Sequence, residues 1–153
     1  MIEYRETIVS AEEYNRLRET AGWGSLEDVT VRRALPNSQF CVCAYDSGRV
    51  IGFARVIGDG GLCYYIQEII IEPEYQRQGI GSRFMEYVMN FFKRNAIKRC
   101  YIGVFAGKEL EGFYSRFGFW KRPTDHMGPG MMQFWNDVEF NGLFNADTEA
   151  CND

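Results

Sequence analysis

The sequence predicts an α/β (more narrowly α+β) domain built on a mixed sheet. Three observations carry that prediction. Strand-like runs at residues 40–45, 50–56 and 63–72 follow one another across short turn signals, which makes a meander. Two helical segments stand before the meander. A segment of helical period, residues 82–93, follows it and leads to a further strand and a further helix. The order is helix, helix, three strands, helix, strand, helix, strand, the mixture expected of an α+β domain.

Each element has its own signal. Ser10-Ala11-Glu12-Glu13 reads as an N-cap with Glu13 at the third helical position, a capping box that opens a helix to about Thr20. Tyr14, Leu17 and Arg18 share one face of it. Gly22-Trp23-Gly24 breaks this helix, and Ser25-Leu26-Glu27-Asp28 starts a shorter one that stops before Pro36. Asp46-Ser47-Gly48 turns the first strand into the second, and Asp59-Gly60-Gly61 turns the second into the third. Ile69-Ile70-Ile71 does not alternate, so the end of the third strand is expected to be covered on both faces. Phe84, Met85, Val88, Met89 and Phe92 recur at helical spacing, residues 99–105 read as a buried strand, and residues 108–117 form a short helix ending at Gly118. A last strand is expected at residues 131–135.

With 153 residues, 46% of them apolar and 25% charged, the chain is expected to be one domain spanning 1–153 with its own core. No apolar run approaches the roughly 20 residues that span a bilayer. The N-terminus carries acids where a secretory leader needs basic and then apolar residues, so a cytoplasmic protein without membrane contact is expected. Five cysteines without a CxxC pair read as reduced; Cys41 and Cys43 share a strand face as small core residues. His126 is the single histidine, which excludes a histidine-rich metal site, and no metal is expected. Every Lys and Arg precedes Pro123, whereas six of the 21 acids follow it. That leaves an acidic tail at about 137–153, and a body with no dense basic stripe for nucleic acid.

The junction Gln76-Arg77-Gln78-Gly79-Ile80-Gly81-Ser82 poses the functional question. Two glycines, one residue apart, stand where an apolar strand closed by Glu72-Pro73 gives way to a helix. Without β-carbons there, consecutive N–H groups can close around a phosphate at the positive end of the helix dipole, with Arg77 and Arg83 as further charge. The spacing is neither a Walker loop nor a dinucleotide G-x-G-x-x-G, since Phe84 stands where the third glycine belongs. A purely structural turn fits the same residues.

IQEIIIEPEYQRQGIGSRFMEYV resembles the acyl-CoA signature of the GNAT N-acetyltransferase superfamily: apolar strand, acid-Pro, then Gln/Arg-x-x-Gly-x-Gly. A second block, Gly112-Phe113-Tyr114-Ser115-Arg116-Phe117-Gly118-Phe119, is similar to the family's FYxxxGF. The resemblance spans most of residues 1–135. It implies a mostly antiparallel sheet that splays at the cofactor site, flanked by about four helices, and acetyl-CoA as co-substrate. The implied cofactor contacts are Ile69, Ile70 and Ile71 through the main chain, residues 76–82 around the diphosphate, and Gly107 and Tyr114. Relatives often carry Asn where this chain has Gly107.

Transfer of an acetyl group to an amine needs a neutral amine, although alkylamines have a pKa of about 10.4. It also needs a donor for the developing oxyanion and a proton for the departing thiolate. The resemblance assigns the thiolate's proton to Tyr114 and the oxyanion to a main-chain N–H within 69–71. Glu68, flanked by Tyr64, Tyr65, Ile66 and Ile69, is the candidate base. An acid paired with a neighbouring Arg is the competing reading, and a one-residue register change would bring Tyr65 or Gln67 into its place. Trp23, Tyr65 and Met131, with Phe40, Tyr64, His126, Met132 and Trp135, are expected to line the acceptor side and to suit a small apolar or aromatic amine. A protein lysine or N-terminal acetyltransferase, or an idle acyl-CoA-binding regulator, are the alternatives, and a homodimer is compatible with the resemblance.

Overall fold

The computed structural model describes residues 1–135. The elements run β1 (Glu3–Arg5), α1 (Ala11–Thr20), α2 (Asp28–Ala34), β2 (Phe40–Asp46), β3 (Arg49–Gly58), β4 (Cys63–Ile71), α3 (Ile80–Asn95), β5 (Tyr101–Val104) and α4 (Glu111–Ser115). Short 3₁₀ turns at Leu35–Asn37 and Pro73–Tyr75 follow α2 and β4. By Cα packing the chain divides into a unit at Met1–Gly118 and a second at Phe119–Asp153.

The five strands lie in the order β1-β2-β3-β4-β5, antiparallel except for the parallel pair β4–β5. Mixed pairing follows from the connections. Ser47 and Gly48 take left-handed backbone, at φ 50° and 82°, which suits the two-residue turn between β2 and β3. Parallel strands need a long crossover, and α3 supplies it between β4 and β5.

Neighbouring residues on β3 show that helices cover both faces. The Phe53 ring meets Tyr14 of α1 at 6.0 Å. A Cβ on the adjacent Gly52 would instead lie 3.1 Å from the Phe84 ring of α3. Successive strand residues point to opposite faces, so α1 and α3 lie on opposite sides of the sheet. On the α3 side, Phe84, Met85, Val88, Phe91 and Phe92 are buried, and Phe91 stacks on Phe40 at 5.0 Å. On the other side, Tyr14, Leu17, Val31 and Leu35 pack with Cys41, Cys43, Phe53 and Ile70.

β4 switches faces partway along. Tyr64 meets Phe91 at 5.7 Å on the α3 side, whereas Glu68, four residues on, bonds with Tyr14 on the α1 side. Four residues of regular strand would keep one face, so an extra residue must intervene. The register jumps there, from Glu68 opposite Arg55 to Ile66 opposite Val56, which leaves Gln67 as the bulged residue.

Glu72 closes the end of the meander. It is wholly buried, and Arg49 grips its carboxylate with two bonds of 2.7 Å while Arg16 of α1 donates to it as well.

Several expectations change. β1 carried no sequence signal, since three residues are too few to show a period. α2 starts at Asp28 rather than Ser25, and α4 has five residues rather than ten. Ile69 and Ile71 are half-buried around a buried Ile70, so this stretch alternates instead of being covered on both faces. β5 is an edge strand with Tyr101 51% exposed, not a buried one. Residues 131–135 form no strand; no ladder partner pairs with them among the described residues, and Met131 is 88% exposed. Described residues of the second unit contain an isolated antiparallel bridge between Thr124 and Met127. The acidic stretch at 137–153 lies outside the described residues.

Candidate active site

β4 is the centre of the site because half of it lacks a second partner. β5 pairs with Cys63, Tyr64, Tyr65 and Ile66 only, so beyond the bulge β4 is bonded to β3 alone among the described residues. This is the splay that the resemblance implied. Main-chain groups alternate sides along a strand. The Glu72 N–H bonds inward to Ile51 at 3.0 Å, which turns the N–H and C=O groups of Ile69 and Ile71 to the open edge. The Gln76 side chain caps one of them, donating to the Ile71 carbonyl at 3.0 Å.

The chain leaves β4 through the Pro73–Tyr75 turn and enters α3 by way of two left-handed residues, Arg77 at φ 58° and Gly79 at φ 86°. Gly79 is the N-cap of α3 and no side chain caps it. The first bond of this helix is from Arg83 N–H to the Gly79 carbonyl at 3.0 Å, so the amides of Ile80, Gly81 and Ser82 are the donors that a helix start leaves without a helical acceptor. Ile80 is buried and anchors the turn, while Gln76, Arg77, Gln78 and Gly79 are exposed. An added Cβ at Gly79 would have no atom within 4 Å. The cradle is therefore open, and the residues present fit an anionic diphosphate.

The two glycines differ in role. A Cβ on Gly81 would meet Ile71 Cδ1 and Phe113 Cζ at 3.5 Å, an ordinary van der Waals contact, so α4 lies beside the first turn of α3 with room for a methyl group between them. Arg83 does not face the cradle: it pairs with Glu86 and lies over the Tyr87 and Tyr4 rings.

That packing brings Tyr114 into place. Tyr114 is buried, with its ring 5.1 Å from Phe113. Burial, reinforced by the nearby Tyr65 phenol, raises its proton affinity above that of an ordinary tyrosine. Tyr65 stands at the fork between β4 and β5, where its hydroxyl accepts from the Phe105 N–H at 2.8 Å. Gly107 follows β5, and its carbonyl accepts from the Leu110 N–H at 3.0 Å, which starts the turn into α4.

Glu68 lies on the α1 side of the same strand, 5% exposed. Tyr14 donates its phenol proton to Oε1. Arg55, directly opposite on β3, brings Nε to 3.1 Å from Oε2. The angle is poor, so neither Arg55 Nε nor Glu68 Oε2 completes a hydrogen bond. Burial and the adjacent Glu68 charge push the Tyr14 hydroxyl up to about 12, keeping it a donor. These groups line a cleft of about 190 Å³ between the sheet and α1–α2, with Arg18, Gln67 and Leu26 around them.

The structure thus brings Glu68 and the 69–71 edge together on one strand, and the 76–82 turn and Tyr114 together through Gly81 and Phe113. Of the expected acceptor residues, Phe40 and Tyr64 belong to the core. Trp23 is 49% exposed in the loop after α1. Met131 belongs to the second unit. Sequence reasoning missed Tyr14 and Arg55. Tyr14 looked like one more apolar position on α1. Arg55 becomes visible only once the hairpin register and the bulge set it opposite Glu68.

The family description Acetyltransferase (GNAT) family matches residues 8–119, and the chain belongs to that family. It is 34% identical to a probable acetyltransferase of unknown function from meticillin-resistant Staphylococcus aureus, covering 88% of this chain and 100% of that one at a TM-score of 0.80. An uncharacterized N-acetyltransferase from Prochlorococcus marinus is 32% identical over 72% of this chain, which spans 63% of that relative's length. A chloroplastic serotonin N-acetyltransferase from Oryza sativa is 27% identical over 69% of this chain and 54% of its own. No described helix is long and apolar enough to cross a membrane, and no described group of His, Cys, Asp and Glu has the makings of a metal site.

Proposed function

We propose that this chain transfers an acetyl group from acetyl-CoA to a primary amine of a small molecule, with both bound at once. The observation that carries the reading is a conjunction around β4: an open main-chain edge at Ile69 and Ile71, orphan amides where α3 begins, and a buried tyrosine next to Phe113, the ring that lies beside that turn. Bound acetyl-CoA supplies an activated thioester carbon; the remaining tasks belong to side chains and amides of this chain.

Residues 76–82 hold the diphosphate through main-chain N–H groups, and the open edge pairs with the pantetheine arm as an added strand does. Glu68 accepts the amine's proton through an intervening water, because Oε2 is itself buried beside Arg55, while Tyr14 fixes the carboxylate through Oε1. Tyr114 holds its proton at neutral pH and gives it to the departing sulfur. The main-chain N–H groups of Ile69 and Ile71, on the open edge, would donate to the oxygen on which charge develops.

Incubation with acetyl-CoA and a panel of amines, monitored for free thiol, tests this. Amine-dependent thiol release is expected. Tight binding of acetyl-CoA without release for any amine would instead indicate an acyl-CoA-binding regulator.

A further inference from the structure

Resting on the acetyltransfer reading above, we infer that the acceptor is an amine that also carries an anionic group, a carboxylate or a phosphate, held by Arg55 and Arg18 in the cleft beside Glu68.

The two buried carboxylates of the sheet make the argument by contrast. Glu72 has two arginines bonded to it, whereas Glu68 has one beside it and a second that lines the same cleft. At Glu72 the set is complete, because Arg49 binds both oxygens at 2.7 Å and Arg16 adds another bond. At Glu68 the set is incomplete. Arg55 approaches through Nε only, at 3.1 Å and off line. Its two Nη groups have no hydrogen-bond partner among the described residues, yet the side chain is only 12% exposed. Nε is the one buried nitrogen of this guanidinium that lacks a completed bond; the Nη groups keep access to the cleft, where they are donors that an anion can take up.

The cleft supplies room for that partner. Arg55, Arg18, Glu68 and Tyr14 all line it. Arg18 is fixed in place, with Nε bonded to the Gly24 carbonyl at 3.0 Å and Nη2 to the Trp23 carbonyl at 3.1 Å. Two guanidiniums and one carboxylate leave the cleft net positive with Tyr14 neutral. A plain ammonium entering it meets repulsion, and a polyamine meets more. An amine bearing one acid group cancels the excess: its anion takes the fork of Arg55, and its nitrogen lies toward Glu68. A neutral aromatic amine leaves the Nη groups of Arg55 without an acceptor.

The test compares matched pairs for thiol release from acetyl-CoA. Alanine and β-alanine against ethylamine form the carboxylate arm; 2-aminoethyl phosphate against ethanolamine forms the phosphate arm. At least one acid-bearing member should exceed its acid-free partner in kcat/KM by about tenfold or more, the value of one charge-assisted bond. Arg55→Gln should erase that ratio mainly through KM, and Arg55→Lys should restore part of it. Arg18→Gln, with its melting temperature checked, gives an independent second variant.

Equal or better turnover of the acid-free members overturns the inference alone, as does a preference that survives both arginine variants. Failure to bind acetyl-CoA, or no thiol release with any amine, overturns the acetyltransfer reading and this inference with it.

Discussion

Gly79→Ala separates what the fold requires from what the site requires. Gly79 sits at φ 86°, and a Cβ there touches nothing within 4 Å. The structural cost is therefore conformational alone, about 1–2 kcal/mol for forcing an L-residue into left-handed backbone. For a chain of this size that corresponds to a melting point about 2–8 °C lower. The functional cost is additional, because the new methyl group stands in the space from which an anion approaches the amides of Ile80, Gly81 and Ser82. Loss of one N–H bond to a charged group is worth about 1.5–3 kcal/mol, or about 10- to 150-fold in CoA affinity. Thermal denaturation without ligand measures the first effect, and equilibrium titration with CoA measures the second. An unchanged melting point would refute the left-handed assignment. A lowered melting point with unchanged affinity would refute the cradle.

Three other outcomes are expected. Tyr114→Phe should lower kcat by about 10²- to 10⁴-fold while CoA affinity holds, and the wild-type rate should stay on its plateau until the pH rises toward the elevated tyrosine value, since only the protonated phenol donates; equal loss of binding and rate in steady-state kinetics would contradict the assignment. Glu72→Ala removes the common partner of Arg16 and Arg49; because those side chains are 32% and 52% exposed and can reach water, the loss should sit near about 3 kcal/mol in denaturant unfolding rather than higher. Burial pushes the Cys43 thiol from 9.0 up to about 12 and is the main cause that raises Tyr14 from 10.0 to about 12. The folded state then holds both protons more tightly, so stability is complete below about pH 9 and falls as the pH climbs toward 12; Cys43→Ala should flatten that fall in an alkaline unfolding series.

The elements with strong local chemistry were legible. The Ser10 hydroxyl accepts from the Glu13 N–H at 3.1 Å, as the capping pattern requires. The turn at Ser47 and Gly48 and the apolar stripe of α3 also follow from residues adjacent in sequence. Two kinds of feature were not legible. β1 exists because β2 offers an edge to Glu3–Arg5, which is a tertiary fact. The bulge at Gln67 is invisible in composition, yet it decides that Glu68 faces Tyr14 and Arg55 rather than α3. The glycine pair was found, but not the difference between its members: Gly79 holds left-handed backbone at φ 86°, whereas Gly81 lies within the helix with room for a methyl group. The expected aromatic acceptor wall failed in part for a related reason, since Phe40 and Tyr64 have no property in sequence that distinguishes a core ring from a pocket ring.

Hydrogen exchange resolved at single amides tests the central claim most directly. On addition of acetyl-CoA, the amides of Ile69 and Ile71 on the open edge and of Ile80, Gly81 and Ser82 at the start of α3 should all slow, while those of β1 stay unchanged. Unaltered exchange at both groups under saturating acetyl-CoA would contradict the claim that this main chain holds the cofactor.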